Sequence, residues 1–449
     1  MELFKSLGDI FLFLTTPIVV GASLWLSIKT RFIQFRKIPY MLQLFFSLLF
    51  KSKKGLEGQG TIQAHRALLT AMSTTIGIST IVSPAIAIRL GGPGAVIGFF
   101  IATVLGAAVN FTEVTLALSY RKHNPKSGVA GGPMQYLQDE ISPFLAKWYA
   151  FFAVILLLGW SAAQANQLGE ILNSPLLGSI RVSNWISGLF LAIFVTIILV
   201  GGITRIANFS AKLVPAMFGV YVTGALWIVC THAAELPAIF NMIVSSAFRP
   251  QTFATGITVG GIVSALRWGI FKGLHGNEAG VGTQTIPHSM AQTKDPYDQG
   301  ILAMISTYSA GFICILSSLV TLITATWLDS SLSLGINMVA ASFYNQFAYL
   351  GIIIVVISAF LFAFGTILGN SFNGGQCFSY LTKNRFIKAY YLVIAVLIYV
   401  GSVSDVAAVW SFVDYLLVPV LIPHIISVVY LAYKQKGLFV VDMAVAKSS

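Results

Sequence analysis

Charge is what this chain lacks: Asp, Glu, Lys and Arg together make up 9% of its 449 residues, where a soluble domain carries about 25%. That deficit excludes an ordinary cytoplasmic globular protein, and a disordered chain more firmly. Cysteine is scarce too. Cys230, Cys314 and Cys377 are odd in number, lie in or beside apolar stretches and show no C-x-x-C spacing. A disulfide framework and a zinc site are therefore not expected. Among the six histidines there is no H-E-x-x-H pair. The first apolar run, from Ile10, has neither a basic leader nor a small-residue cleavage site, so no cleavable signal peptide is expected.

Apolar residues fill the gap: 56% of the chain is hydrophobic and its mean hydropathy is +0.83. Spread over the whole length, this describes a polytopic membrane protein. A helix crosses the bilayer core with about 20 apolar residues. Eleven such segments are present, at 10–28, 62–90, 94–119, 144–168, 185–203, 211–231, 254–274, 300–327, 350–370, 389–404 and 407–433. Backbone groups in lipid need internal partners, so each segment is expected to be helical; a β-barrel would show alternating segments of about 10 residues.

The net charge of +12 does not point to nucleic acid, because the basic residues sit in short connections between apolar runs. Most of them lie in the odd-numbered gaps and the tail, beginning with Lys29, Arg31, Arg36, Lys37, Lys51, Lys53 and Lys54, and including Lys272 and Lys294 in the seventh gap. The opposite connections hold Lys5, Arg89, Arg181 and Arg249. The positive-inside rule then places the N-terminus outside and the C-terminus in the cytoplasm.

Two spans are interrupted. The second holds six Ser/Thr, Gly77 and Pro84 between Ser73 and Pro84, and the seventh opens Thr255-Gly256-Ile257-Thr258-Val259-Gly260-Gly261. Glycine weakens a helix and proline removes a backbone donor. The two spans stand five apart, and paired interruptions at matching positions of two halves point to an inverted-repeat transporter with a midplane site. The halves are spans 2–6 and 7–11, with span 1 added in front. This gives an N-terminal helix and basic loop (1–61), a first five-helix repeat (62–231), a connecting loop (232–253), a second repeat (254–433) and a tail (434–449). Small residues that merely allow close helix packing are the competing reading of each interruption.

The residues also carry a resemblance. Gly269–Gly282, with Asn277-Glu278-Ala279-Gly280-Val281-Gly282 at its end, is similar to the N-E-A-G-x-G signature of the alanine or glycine:cation symporter family. Gly131-Gly132-Pro133-Met134-Gln135-Tyr136 resembles that family's G-G-P-x-x-Y motif, and Phe362–Gly369 its F-A-F-S-T-x-L-G stretch. Lesser matches are Leu90–Ala95, Gln164-Ala165-Asn166, and Trp410 with Asp414. The resemblance spans about residues 20 to 430. It implies an all-α membrane protein with the leucine-transporter fold, a 5+5 inverted repeat plus one N-terminal helix. It also implies a sodium-coupled symporter of small neutral amino acids such as alanine or glycine, in the bacterial inner membrane, with sodium as co-substrate and no other cofactor. Gly77-Ile78-Ser79-Thr80 stands where the family carries G-T-G-N, Asn370 where it carries Trp, and Ala310 where it carries Asp. All three departures fall at or near the expected binding region.

The chemistry of the cargo selects candidate residues. A zwitterion in a dry site needs donors for its carboxylate and acceptors for its ammonium, and unwound backbone at half-helix ends supplies both. Thr74, Thr75, Gly77, Ile78, Ser79 and Thr80 of the second span, Gln164 of the fourth, Thr258, Gly260 and Gly261 of the seventh, and Asn370 are the expected substrate contacts. Sodium is a hard cation that takes oxygen ligands. The resemblance assigns it to Thr366, Thr80 and the carbonyls of Ser73 and Ile76. Hydroxyls bonded back to their own helix, and an amide acting as interhelical glue, are the alternatives for these positions. Glu113 with Arg66 and Arg267 is the expected gate charge cluster, all at the cytoplasmic end, with snorkelling as the alternative for Arg66. Asn277-Glu278, which lies among glycines with Asp295 and Asp298 downstream, lacks metal-ligand spacing and is read as a cytoplasmic cap on helix ends. Residues 131–141 are expected along the cytoplasmic interface. A proton-coupled or exchanging amino-acid carrier of the same fold is the second reading; an enzyme or channel is not expected.

Overall fold

The structure, a computed structural model, describes residues 2–50, 60–124, 128–248 and 261–439. In its first half run α1 (Glu2–Lys29), α2 (Ile33–Arg36), α3 (Ile38–Phe50), α4 (Ala64–Thr75), α5 (Ile78–Gly91), α6 (Ala95–Ser119), α7 (Pro133–Glu140), α8 (Pro143–Leu172), α9 (Asn184–Leu199), α10 (Gly202–Thr231) and α11 (Leu236–Phe248). The second half holds α12 (Gly261–Asn277), α13 (Thr285–Ser289), α14 (Pro296–Ile323), α15 (Ile336–Phe347), α16 (Tyr349–Thr382), α17 (Ile387–Val403) and α18 (Val406–Lys434). Four very short strands accompany them: β1 (Ile62–Gln63), β2 (Lys122–Asn124), β3 (Gly128–Ala130) and β4 (Ala291–Gln292).

Local sequence sets several helix starts. Ser142 accepts from the Phe144 N–H ahead of Pro143, and Asp295 from the Tyr297 N–H ahead of Pro296. Each pairs a capping side chain with a proline that needs no donor partner. Asp405 caps α18 through the Ala408 N–H at 2.9 Å. Seven stretches, α4 with α5, α6, α8, α10, α14, α16 and α18, are long and apolar enough to cross a membrane; α9 and α17 are shorter apolar helices.

Corresponding helices of the two halves pack on each other: α6 on α14, α8 on α16 and α9 on α17. A two-fold relation between the halves produces that pattern. The helices sort into a bundle of α4/α5, α6, α12 and α14 and a scaffold of α8, α9, α16 and α17, with α10 packed against α4 of one and α16 of the other. At one end of the molecule β1 pairs in parallel with β4, Ile62 opposite Ala291. The amphipathic α7 lies at this end with Pro133–Leu137 buried. Lys434 closes on Glu140 at 2.7 Å; with the Tyr120 hydroxyl it holds the Glu140 carboxyl below its usual range.

Two expectations are corrected here, and a third falls outside the described residues. The interruption expected at 255–261 lies there except for Gly261, which opens α12; that helix runs unbroken to Asn277, and an interruption follows at 278–284. Thr258 and Gly260 lie outside the described residues. Lys272 is not a loop charge but lies within α12, 5% exposed. Arg267 does not share an end with Arg66. Its neighbours Ala265 and Trp268 pack on Gly91, at the far end of α5, whereas Arg66 sits in the first turn of α4 and donates to Asn208 Oδ1 at 2.7 Å.

Candidate functional site

The α4–α5 break is two residues long. Helical geometry ends at Thr75, Ile76 turns away (φ −89°, ψ 79°) and Gly77 is extended before α5 begins. A helix start leaves N–H groups without partners; Gln164 Oε1 from α8 accepts that of Ile78 at 2.8 Å. On the other side of the break, Thr366 of α16 donates its hydroxyl to the Ser73 carbonyl at 3.0 Å. Gly77 lies between these two side chains. A Cβ there would stand 2.6 Å from Thr366 Oγ1 and 3.0 Å from Gln164 Oε1, so only glycine lets both close on the break.

The second break is built from the Asn277–Gln284 run. Asn277 Oδ1 accepts from the Ala279 N–H at 3.1 Å, and its amide donates to the Ala102 carbonyl at 3.0 Å. The Asn277 carbonyl, left over at the end of α12, takes the Gln284 amide at 2.7 Å. Gly280 (φ +87°) and Gly282 (φ +84°) carry the turn back into α13 in a conformation that L side chains resist. Asn373 of α16 donates to the Thr283 carbonyl at 3.2 Å. One helix thereby holds both breaks.

Between the breaks is a small cavity lined by Thr74, Thr75, Ser79, Trp160, Ala163, Gln164, Glu278, Thr366, Asn370 and Trp410. Thr74 and Thr75 both donate to the Ala71 carbonyl, at 2.7 and 3.0 Å. Their protons are used inside α4, so the oxygens offer lone pairs. Glu278 is 4% exposed and accepts the Thr283 hydroxyl. Asn370 is fully buried, and neither atom of its amide has a hydrogen-bond partner. On the Trp410 side, Lys272 pairs with Asp414 at 2.9 Å, and its ammonium stands 5.6 Å from the Trp410 ring centre.

The sodium:alanine symporter family matches residues 2–439. The chain belongs to that family. It is 30% identical over 425 residues to a sodium/alanine symporter of Methanococcus maripaludis, covering 92% of this chain and 91% of the relative. It is 31% identical over 412 residues to an uncharacterized transporter of Haemophilus influenzae, covering 91% of this chain and 88% of that one. Its fold is that of a solved Na+-coupled sialic acid symporter, at a TM-score of 0.54 and 12% identity, over 92% of this chain and 85% of the other. The protein is a polytopic membrane transporter with a leucine-transporter-like inverted repeat, and not an enzyme.

Of the residues selected from sequence, Thr74, Thr75, Ser79, Gln164, Thr366 and Asn370 line the cavity, and Ser73, Ile76, Gly77 and Ile78 form the break beside it. Thr80 turns its hydroxyl back to the Gly77 carbonyl at 2.6 Å. Gly261 is not brought in: it stands sixteen residues before Asn277, roughly 24 Å along the helix axis. Glu113 does not meet an arginine. Its neighbour is His424, 3.5 Å away, because Arg66 and Arg267 stand at opposite ends of the molecule. Asn277-Glu278 is not a cap at the surface but the centre of the second break. Sequence reasoning missed Glu278 and Trp160 as cavity residues. An acidic residue between glycines at the end of an apolar run is the signal that marks Glu278, since ionisable groups inside a membrane protein are expensive to keep.

Proposed function

We propose that this transporter carries a small neutral amino acid into the cell together with sodium, by alternating access across the bacterial inner membrane, with its N-terminus outside. The observation that carries the reading is the meeting of two broken helices at a buried cavity that offers one carboxylate, two amides and four hydroxyls. That inventory suits a zwitterion and a hard cation and little else. The substrate carboxylate lies toward the N-terminal end of α5, where the helix dipole is positive. Its ammonium lies beside Glu278 and the carbonyl end of α12. Sodium takes the Thr366 hydroxyl with the carbonyls of Ser73 and Ile76, joining the scaffold helix α16 to the broken helix of the bundle. Binding then stabilises one packing of bundle against scaffold, which couples the ion to the movement of the substrate.

The test is uptake into proteoliposomes of a panel of amino acids, under separate sodium and proton gradients. A sodium gradient should drive saturable uptake of small neutral substrates. Thr366→Ala should raise the sodium concentration for half-maximal uptake at least severalfold, and Thr366→Ser should largely keep the parent value. Uptake driven by a proton gradient alone, or two variants indistinguishable from the parent, would show the assignment to be wrong.

A further inference from the structure

Glu113 lies in the core with 0% exposure; no side chain donates to its carboxyl oxygens, and the donor that faces them is the backbone N–H of Gly280. The titratable groups that face it come from four elements: Glu278 from the second break, His424 from α18, Tyr136 from α7 and Tyr149 from α8. Among the described residues no lysine or arginine comes within ion-pair distance of it. His424 does not supply a positive charge by default. Its Nδ1 stands 3.5 Å from Glu113 Oε1 but bonds the Gly280 carbonyl at 2.6 Å. A carbonyl can only accept, so Nδ1 carries a proton that is committed to Gly280. The other ring nitrogen, Nε2, meets the Tyr136 hydroxyl, and a phenol O–H serves a neutral Nε2 as donor. Tyr149 donates to the Val281 carbonyl at 2.9 Å. His424 and Tyr149 thus hold two successive carbonyls of the second break, and Glu113 sits beneath them.

An ionised carboxylate at this position has one backbone N–H, that of Gly280, and no counter-charge, with a second carboxyl nearby, and burying such a charge costs several kcal/mol. We propose that Glu113 is a proton-binding site: one carboxylate oxygen takes a proton from hydronium, whose O–H bond breaks to leave water, and the neutral carboxyl is a condition for this packing of the 278–284 break on α6. Loss of that proton leaves a buried negative charge beside Glu278 and His424 with no cation to balance it, and the molecule leaves this arrangement. The site is separate from the cavity residues, and the proposal rests on the carrier reading only for its transport readout.

The experiment is sodium-driven uptake in proteoliposomes with equal pH on both sides, from acid to alkaline. Parent uptake should fall as Glu113 ionises, with a slope that approaches about tenfold per unit of pH, the limit for a single proton. Glu113→Gln, neutral at every pH, should keep the parent's acid-side rate and show a flat profile. A Glu113→Gln profile that follows the parent assigns the titration to Glu278 or His424 and overturns the proposal. So does a folded Glu113→Gln protein without uptake, which would mean that a charged carboxylate is needed there. Infrared spectroscopy of the purified full chain reads the same proton without transport. The carbonyl stretch of a protonated carboxyl should vanish in Glu113→Gln, shift in Glu113→Asp and persist in Glu278→Gln. No such band in the parent, or one insensitive to residue 113, overturns the proposal. A parent that fails to take up substrate yet shows the band defeats the carrier reading alone.

Discussion

Asn370 is the cavity residue whose buried amide is left without a partner. Both atoms of its amide are buried without partners, and an unsatisfied buried polar group costs about 1–3 kcal/mol. A substrate whose side chain carries a hydroxyl or an amide regains that cost; alanine does not. The family's indole at this place would fill the space and present one donor only. Replacement of Asn370 by Trp should therefore remove any preference for serine, threonine or a small amide over alanine while keeping alanine affinity. Leu at 370 should raise the melting temperature in detergent, since it deletes the unpaired amide, and depress uptake of the polar substrates. A substrate ranking unchanged across parent, Trp and Leu would show that position 370 does not face the cargo.

At the scale of elements, the breaks are held from outside by side chains. The α4–α5 interruption is fastened by Gln164 and Thr366, and the second by Asn110, Asn373, His424 and Tyr149. Gly282 shows how tightly. A Cβ there would stand 2.6 Å from His424 Cε1 and 2.7 Å from Pro133 Cγ, with φ at +84°. Gly282→Ala should thus lower uptake at least about tenfold and the melting temperature by several degrees, as strain at a left-handed position adds to the clash. Parent-like uptake and melting would mean that the break relaxes without cost. The glycines near 255–261 and those at 280 and 282 look equally permissive as sequence. At Gly280 and Gly282 the chain is held open by His424 and Tyr149, which take the Gly280 and Val281 carbonyls.

Across the whole molecule, charge closes the structure at both ends. Lys434 on Glu140 ties the last long helix to α7, and Lys272 on Asp414 ties α12 to α18 on the Trp410 side of the cavity. The Lys272 side chain is 6% exposed and that of Asp414 26%. Removing one partner takes the counter-charge from the other. Lys272→Met should destabilise the protein, by less than the roughly 3–5 kcal/mol of a fully buried pair, because Asp414 keeps some water. The double variant Lys272→Met/Asp414→Leu should recover part of the loss in melting temperature. If the single and double variants melt alike, the pair is not coupled.

The sequence alone determined the membrane class and the helical character, because hydropathy and the bilayer's ban on unpaired backbone act on composition without regard to tertiary contacts; the transporter fold came from the family resemblance carried by runs such as Asn277–Gly282. It also marked the first break, since Ser73–Pro84 concentrates hydroxyls, a glycine and a proline in one crossing, and the structure places Thr74, Thr75, Ser79, Gln164, Thr366 and Asn370 around one cavity. Tertiary structure decided where the second break falls, that Glu278 faces the cavity and that Glu113 meets His424 rather than an arginine. A helix opens where partners 90 and 167 residues away, Asn373 and Asn110, offer its carbonyls better bonds than the next turn does. That competition is set by packing, and no local pattern in the chain records it.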